Sequence, residues 1–207
     1  MAELLFWFQM VIAFVYTLPM IHNIMHGKVE GLTQAMYVIF MAYLALGFSL
    51  SLSSYRQSKS RIRLQTIIIF ANWLVLVGTI VVLSFHAIPW RSVDTTFTIV
   101  IAAITVATII WYRGVTDPMA RGWIAVWCKA LPQLWLAYTM LFIAHSSNGF
   151  AGLSLIAGHC TGIARLWQIV LSGRKGGWDR PTKGLLLGEV ANVTTWGAVT
   201  IVWLILR

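Results

Sequence analysis

Seven runs of predominantly apolar residues follow one another along the 207-residue chain, at 4–24, 33–53, 62–83, 95–112, 122–144, 150–171 and 184–206. Each is close to the roughly 20 residues that a helix needs to cross a bilayer. Hydrocarbon offers the backbone no hydrogen-bond partner, so runs of this length must satisfy their own N–H and C=O groups, and short linkers leave the α-helix as the only solution. The expectation is an all-α membrane protein with seven transmembrane helices. Only 10% of the residues are charged, against about 25% in soluble domains. The connections are too short for an extramembrane domain. The first run begins behind Glu3 without a basic leader or a cleavage site and reads as a retained helix, not a signal peptide.

The net charge of +9 does not point to nucleic acid, because the basic residues gather in alternate short loops. Arg56, Lys59, Arg61 and Arg63 follow the second run. Arg113 and Arg121 flank Asp117 after the fourth, and Arg174, Lys175, Arg180 and Lys183 surround Asp179 after the sixth. The other three loops balance Lys28 with Glu30 and Arg91 with Asp94, or carry His145 and neutral residues. The positive-inside rule places the basic loops in the cytoplasm, with the N-terminus inside and the C-terminus outside. Anionic lipid is the partner expected at those loops. Cys128 and Cys160 have neither zinc-ligand spacing nor a reason to pair, and no metal or cofactor is expected.

A duplication is legible in the order of short signals. Tyr16-Thr17 returns as Tyr138-Thr139, Gly31-Leu32-Thr33 as Gly152-Leu153-Ser154, Leu52-Ser53 as Leu171-Ser172, and Ala71-Asn72 as Ala191-Asn192, at offsets of 119 to 122. Residues 1–90 and 115–207 then form two three-helix bundles, and 91–114 a linker helix. Three helices on either side of an odd linker have the same orientation, which makes the repeat a parallel one.

Asn72 and Asn192 place an amide near the middle of an apolar run, where it is costly without a partner or a polar cavity. One reading is interhelical glue. The other, favoured by their pairing in the repeat, is contact with a polar solute, since an amide both donates and accepts. Trp73, Trp167, Trp196 and Tyr43 are the aromatics expected to cover such a solute. Pro19 and Pro132 interrupt helix hydrogen bonding and serve as hinges or as static kinks. Gln133 either satisfies a freed carbonyl or faces the cavity. His159 is a candidate for substrate binding, a proton-sensing group or a packing residue. Lys129, Arg165 and Glu189 are charges inside runs. The two cations can snorkel, whereas Glu189 needs a partner, and Arg165, one short loop away, is the expected one, with Lys129 second. The three are candidates for a gate or for proton coupling.

Leu131-Pro132-Gln133 resembles the proline–glutamine motif of the PQ-loop superfamily, and Leu18-Pro19-Met20 resembles its partner in the first helix. Gly31-Leu32-Thr33 and Gly152-Leu153-Ser154 resemble the start of the following helix, and Asn72 and Asn192 the paired asparagines of the cavity. Within that superfamily the chain looks like a SWEET-type sugar transporter. Pro19 lies 12 positions before Gly31 but Pro132 lies 20 before Gly152, a departure in register. The resemblance implies a SWEET-like three-one-three fold. It also implies transport of a small polar solute, a sugar first, by alternating access through a midplane cavity, in a monomer or a homo-oligomer. A vitamin carrier of the nicotinamide riboside type, an amino-acid carrier or a non-transporting cargo receptor are the alternatives. No P-loop, HExxH or Ser/His arrangement is present, so no enzymatic activity is expected.

Overall fold

The computed structural model describes residues 2–207. These residues form seven helices and no strand: α1 (Ala2–Met25), α2 (Gln34–Ser58), α3 (Arg61–Ala87), α4 (Ser92–Trp111), α5 (Pro118–Ala144), α6 (Gly152–Gly176) and α7 (Arg180–Ile205). All but α6 are long and apolar enough to cross a membrane. The chain is therefore a multi-pass membrane protein. Helix α6 equals the others in length but carries His159, Thr161, Arg165 and Gln168, polar groups that a lipid-facing helix would not tolerate. Large apolar side chains such as Val75, Val82, Ile99, Ile110 and Leu204 are exposed on the outside of the bundle, where acyl chains would cover them.

Several helices outrun the apolar stretches that mark them. Only Lys59 and Ser60 separate α2 from α3, because helix continues through the polar Ser54–Ser58 segment beyond the hydrocarbon-length run. The turn is capped from both sides. Lys59 takes the left-handed conformation, and the Ser60 hydroxyl accepts from the Arg63 N–H. Asp117 and Asp179 cap α5 and α7 in the same way, each followed by a proline within the first turn, where a missing N–H costs nothing.

Helix α3 packs between α1 and α2, and α7 packs between α5 and α6. Across the molecule α1 meets α6 and α2 meets α5, while α4 lies against α2 and α5. The α5–α7 pair is drawn close by glycine. A Cβ on Gly122 or Gly184 would collide with the backbone of the facing helix, and one on Gly188 would meet Ala125. Without a hydrophobic drive between helices in lipid, such small-residue contacts are what allow tight association. Helix α5 is widened by two π segments, Val126–Ala130 and Thr139–Ala144. The first ends just before Pro132, whose ring would clash with a regular turn; a π segment loosens the ladder at that point.

Hydrogen bonds between the first three helices with their loops and the last three gather at one end. Asn23 Nδ2 donates to Gly149 O (3.0 Å), the Gly149 N–H donates to Glu30 O (2.9 Å), and Ser146 and Asn148 donate to the Glu30 carboxylate. Asp94 ties α4 in beside them. It is fully buried and accepts from Thr33 Oγ1 (2.8 Å), Trp135 Nε1 (2.9 Å) and Arg91 Nε (3.0 Å). By sequence alone Asp94 is a loop charge offset by Arg91. Its position three residues into a helix, accepting from the Arg91 backbone N–H, is a capping geometry.

Candidate functional site

At the opposite end the two halves part. A cavity of about 680 Å³ opens there, lined by residues of α2, α3, α5, α6 and α7, among them Ser54, Arg63, Arg121, Arg165 and Glu189. It leads to an inner pocket of about 80 Å³ lined by residues of α1, α2, α3, α5, α6 and α7. Tyr43, Phe70 and Arg165 line both spaces and mark the passage between them. Met20, Tyr37, Ile80, Leu136 and Met140 line neither space; they are essentially without exposure and belong to one apolar core.

The inner pocket has one aromatic wall and one polar wall. The Tyr16 ring lies 5.6 Å from Trp73 and 5.9 Å from Trp196, and Phe40 lies 6.3 Å from Trp73. Edge and tilted packing at these separations fixes ring orientation. The polar wall is a connected chain between α5 and α7. Lys129 Nζ donates to both oxygens of Glu189 (3.1 and 2.9 Å), and Asn192 Nδ2 donates to Glu189 Oε1 (2.8 Å). Gln133 Nε2 donates to Asn192 Oδ1 (2.8 Å), and Thr195 Oγ1 donates to Gln133 Oε1 (2.6 Å). Asn192, Gln133 and Glu189 are 1%, 4% and 7% exposed; at that burial each group must be paired to be tolerated, and each is.

The structure therefore brings together Asn192, Gln133, Trp73, Trp196, Tyr43, Lys129, Arg165 and Glu189 around one cavity. Two expectations need correction, for Asn72 and Trp167, and two stated alternatives are decided, for His159 and Glu189. Asn72 does not face Asn192: its amide reaches Met10 O at 3.5 Å within its own bundle, and it lines neither space. Its position on α3 turns it toward α1, whereas Trp73, one residue on, takes the inward face. Trp167 is 61% exposed on the outside of α6 and sits where an interfacial or lipid-facing Trp belongs. His159 lies 2.6 Å from Thr200 Oγ1, joining α6 to α7, and lines neither space. Glu189 pairs with Lys129 and not with Arg165, because the glycine contacts hold α5 closest to α7 at that depth. Pro132 is buried in α5, next in sequence to Gln133, and Pro19 lies inside α1, half-buried. The two cysteines are free.

Gln9 and Tyr16 of α1, Phe40 of α2 and Thr195 of α7 are inner-pocket or polar-chain residues that the sequence does not mark as site residues. Gln9 carried the one available signal, a carboxamide inside an apolar run, and its Nε2 is buried without a hydrogen-bond partner. At the mouth, Asp117 bonds Arg180 (2.9 Å) and caps α5. Partial burial raises its carboxyl, but the Ala120 and Met119 amides and the Arg180 guanidinium more than offset this and hold it below the ordinary carboxylate range. Among the described residues no cluster of His, Cys, Asp and Glu could hold a metal ion.

Comparison with protein-family models, with curated proteins and with solved structures finds no match for this chain.

Proposed function

We propose that this chain is a carrier that moves a small polar solute across the membrane by alternating access between two three-helix bundles. The observation that carries the reading is the cavity between the halves, open at one end and clasped at the other. A carrier at rest in one of its two states has this form: the site is reached from one side, and the opposite gate is held by bonds weak enough to exchange. The clasp consists of a few hydrogen bonds at a loop end, each worth about 1 kcal/mol net, a scale that thermal motion and solute binding can shift.

The packing order supports a parallel repeat and, with it, the seven-span count. In each half the third helix lies between the first and second, and the first helix of each half meets the second of the other. That relation is what a two-fold axis along the membrane normal generates. Helix α6 would then be the seventh span, its polar side chains turned to the cavity or to α7. The basic loops Arg56–Arg63, Arg113–Arg121 and Arg174–Lys183 lie at the open end in this topology, so the open end faces the cytoplasm. Rocking about the midplane would break the contacts of Glu30, Asn23 and Gly149 and close the arginine-lined mouth. The π segments flanking Pro132 give α5 places to bend.

Purified protein in liposomes, loaded with a panel of sugars, carboxylates, amino acids and vitamins, tests the reading. The expected result is saturable, counterflow-accelerated uptake of at least one solute. Its absence across the panel, with folded protein in the membrane, would reject the carrier. Sidedness is read separately. In a Cys128→Ser, Cys160→Ser background, Ser58→Cys should resist an impermeant maleimide from outside while Asn148→Cys reacts.

A further inference from the structure

We infer that the solute is a small organic anion, a monocarboxylate in its simplest form, bound with its charged head at Arg165 and its apolar body against Trp73 and Trp196. This rests on the carrier reading and narrows it. Arg165 stands near the middle of α6 and lines both the vestibule and the inner pocket. Among the described residues no carboxylate lies within ion-pair distance of it, and no hydrogen bond engages it, whereas Lys129, the other cation deep in the helical bundle, is held by Glu189. A guanidinium at this depth is costly unless it faces water or an anion, and its planar fork suits a carboxylate or phosphate better than a hydroxyl.

The rest of the cavity points the same way. Arg63 and Arg121 line the vestibule outside Arg165, so a solute meets positive charge from the mouth inward, an arrangement that concentrates anions. The carboxylate and carboxamide oxygens of the polar wall are already engaged: Glu189 by Lys129 and Asn192, Asn192 by Gln133, and Gln133 by Thr195. A hydroxyl-rich solute needs acceptors as well as donors, and each carboxylate and carboxamide oxygen of the polar wall already accepts at least one hydrogen bond from within the wall. An acceptor-only head group needs donors alone, and the unpaired guanidinium of Arg165 supplies them at the passage between the two spaces. The opposite wall, Phe40, Ile69, Phe70 and Trp73, is apolar and fits a hydrocarbon or aromatic body. The inner volume of about 80 Å³ holds roughly six water-sized positions, room for a short carboxylate and little for a hexose.

The head group's chemistry is shared by free carboxylates, by inorganic phosphate and by anionic lipid, and the test separates them. Binding is measured on the whole chain in nanodiscs of neutral phosphatidylcholine, with isobutyrate and benzoate set against their uncharged isosteres isobutyramide and benzamide, and with inorganic phosphate. The acids should bind at least tenfold more tightly than the amides. Arg165→Gln should abolish that preference, and Arg165→Lys should keep part of it. Equal binding of acid and amide by the wild-type protein would overturn the inference without any variant having to fold. A signal from phosphate alone, or one that appears only when anionic lipid is added and that free carboxylates do not displace, would overturn it too. Liposome flux then separates the two readings. Uptake of a neutral polyol without the acids leaves the carrier standing and removes the anion. Acid binding at Arg165 with no flux of any solute keeps the anion site and removes the carrier.

Discussion

The two halves of the molecule pack alike and are furnished differently. In each, a central helix lies between its two partners and carries an asparagine near its middle, Asn72 in α3 and Asn192 in α7. In the second half that asparagine belongs to a buried chain running from Lys129 through Glu189 and Gln133 to Thr195. In the first half it makes one long contact with its neighbour's backbone. At the repeat offset of Asn72 and Asn192, Ile69 stands where Glu189 does. The cavity therefore has a polar wall from α5 and α7 and an aromatic and aliphatic wall from α1, α2 and α3, which Trp196 of α7 joins through Tyr16. Both halves need their packing surfaces, and on the proposed reading one set of charges is enough for a single central solute.

The largest difference should appear at the ion pair. Removing Glu189 leaves Lys129 buried and unpaired and strips Asn192 of an acceptor, a loss on the scale of 3–5 kcal/mol for a broken buried pair. Glu189→Ala should lower the unfolding midpoint sharply in detergent. The double change Lys129→Met with Glu189→Leu should recover much of the loss, because apolar replacement of both partners removes the uncompensated charge. Ile69→Ala, the matching change in the first half, makes a cavity and strands no charge. If Ile69→Ala proves the more damaging, the comparison fails.

The asparagines give the next contrast. Asn192→Ala leaves Gln133 and Glu189 each short of a partner at low exposure, about 1–3 kcal/mol for stranded polar groups. Asn72→Ala forfeits a single interhelical bond, about 0.6 kcal/mol on average in membrane proteins. Thermal unfolding followed by fluorescence should rank the two variants in that order. Uptake should fall by more than tenfold in Asn192→Ala and by less than threefold in Asn72→Ala, each at equal folded protein. Comparable losses would restore a symmetric site.

A smaller effect belongs to the seam between the halves. Asn23→Ala removes one bond across the clasp, to Gly149 O, worth about 1 kcal/mol. That corresponds to roughly a fivefold shift in an opening equilibrium. The distance between spin labels at Lys28 and Asn148 should broaden toward longer values, while labels at Ser54 and Arg174, across the mouth, move closer. A longer distance at both ends would mean that the halves separate and do not rock.

Apolar run length was enough to find every helix within a few residues, because hydrocarbon permits only one backbone solution. It placed the ends too early at Ser53 and Leu83, since amphipathic helix continues past the point where lipid stops requiring it. The identities of the inward residues were half-legible. An amide or a charge in an apolar run is visible as an anomaly, so Asn192, Gln133, Lys129 and Glu189 stood out. Which anomaly meets which depends on helix rotation and distance. The neighbour-by-loop rule chose Arg165 for Glu189, but Gly122, Gly184 and Gly188 bring α5 closer than α6. The repeat made Asn72 look equivalent to Asn192, yet an offset fixes sequence position and not the direction of a side chain. The π segments of α5 left no mark in the sequence beyond Pro132.

The smallest predicted difference concerns the helix starts at the open end. In the first half α3 is capped by the hydroxyl of Ser60, which does not titrate. In the second half α5 and α7 are capped by Asp117 and Asp179. The Asp179 carboxyl is held below its ordinary range by the hydrogen bonds from Thr182. That of Asp117 is raised by partial burial and lowered more strongly by the Ala120 and Met119 amides and by Arg180. A carboxyl depressed in the folded state contributes stability above its unfolded value, near 3.9, and loses it as pH falls through the folded value. Acidification below about pH 4 should therefore fray the first turns of α5 and α7 and loosen the contact between Asp117 and Arg180, leaving the start of α3 unchanged. Protection factors for the Met119, Ala120 and Thr182 amides, corrected for intrinsic exchange, should fall relative to that of Arg63. In Asp117→Asn the Met119 and Ala120 amides should lose this pH response, because asparagine caps without titrating. Parallel loss at Arg63 would mean that acid loosens both halves together, and the contrast between carboxylate and hydroxyl caps would not hold.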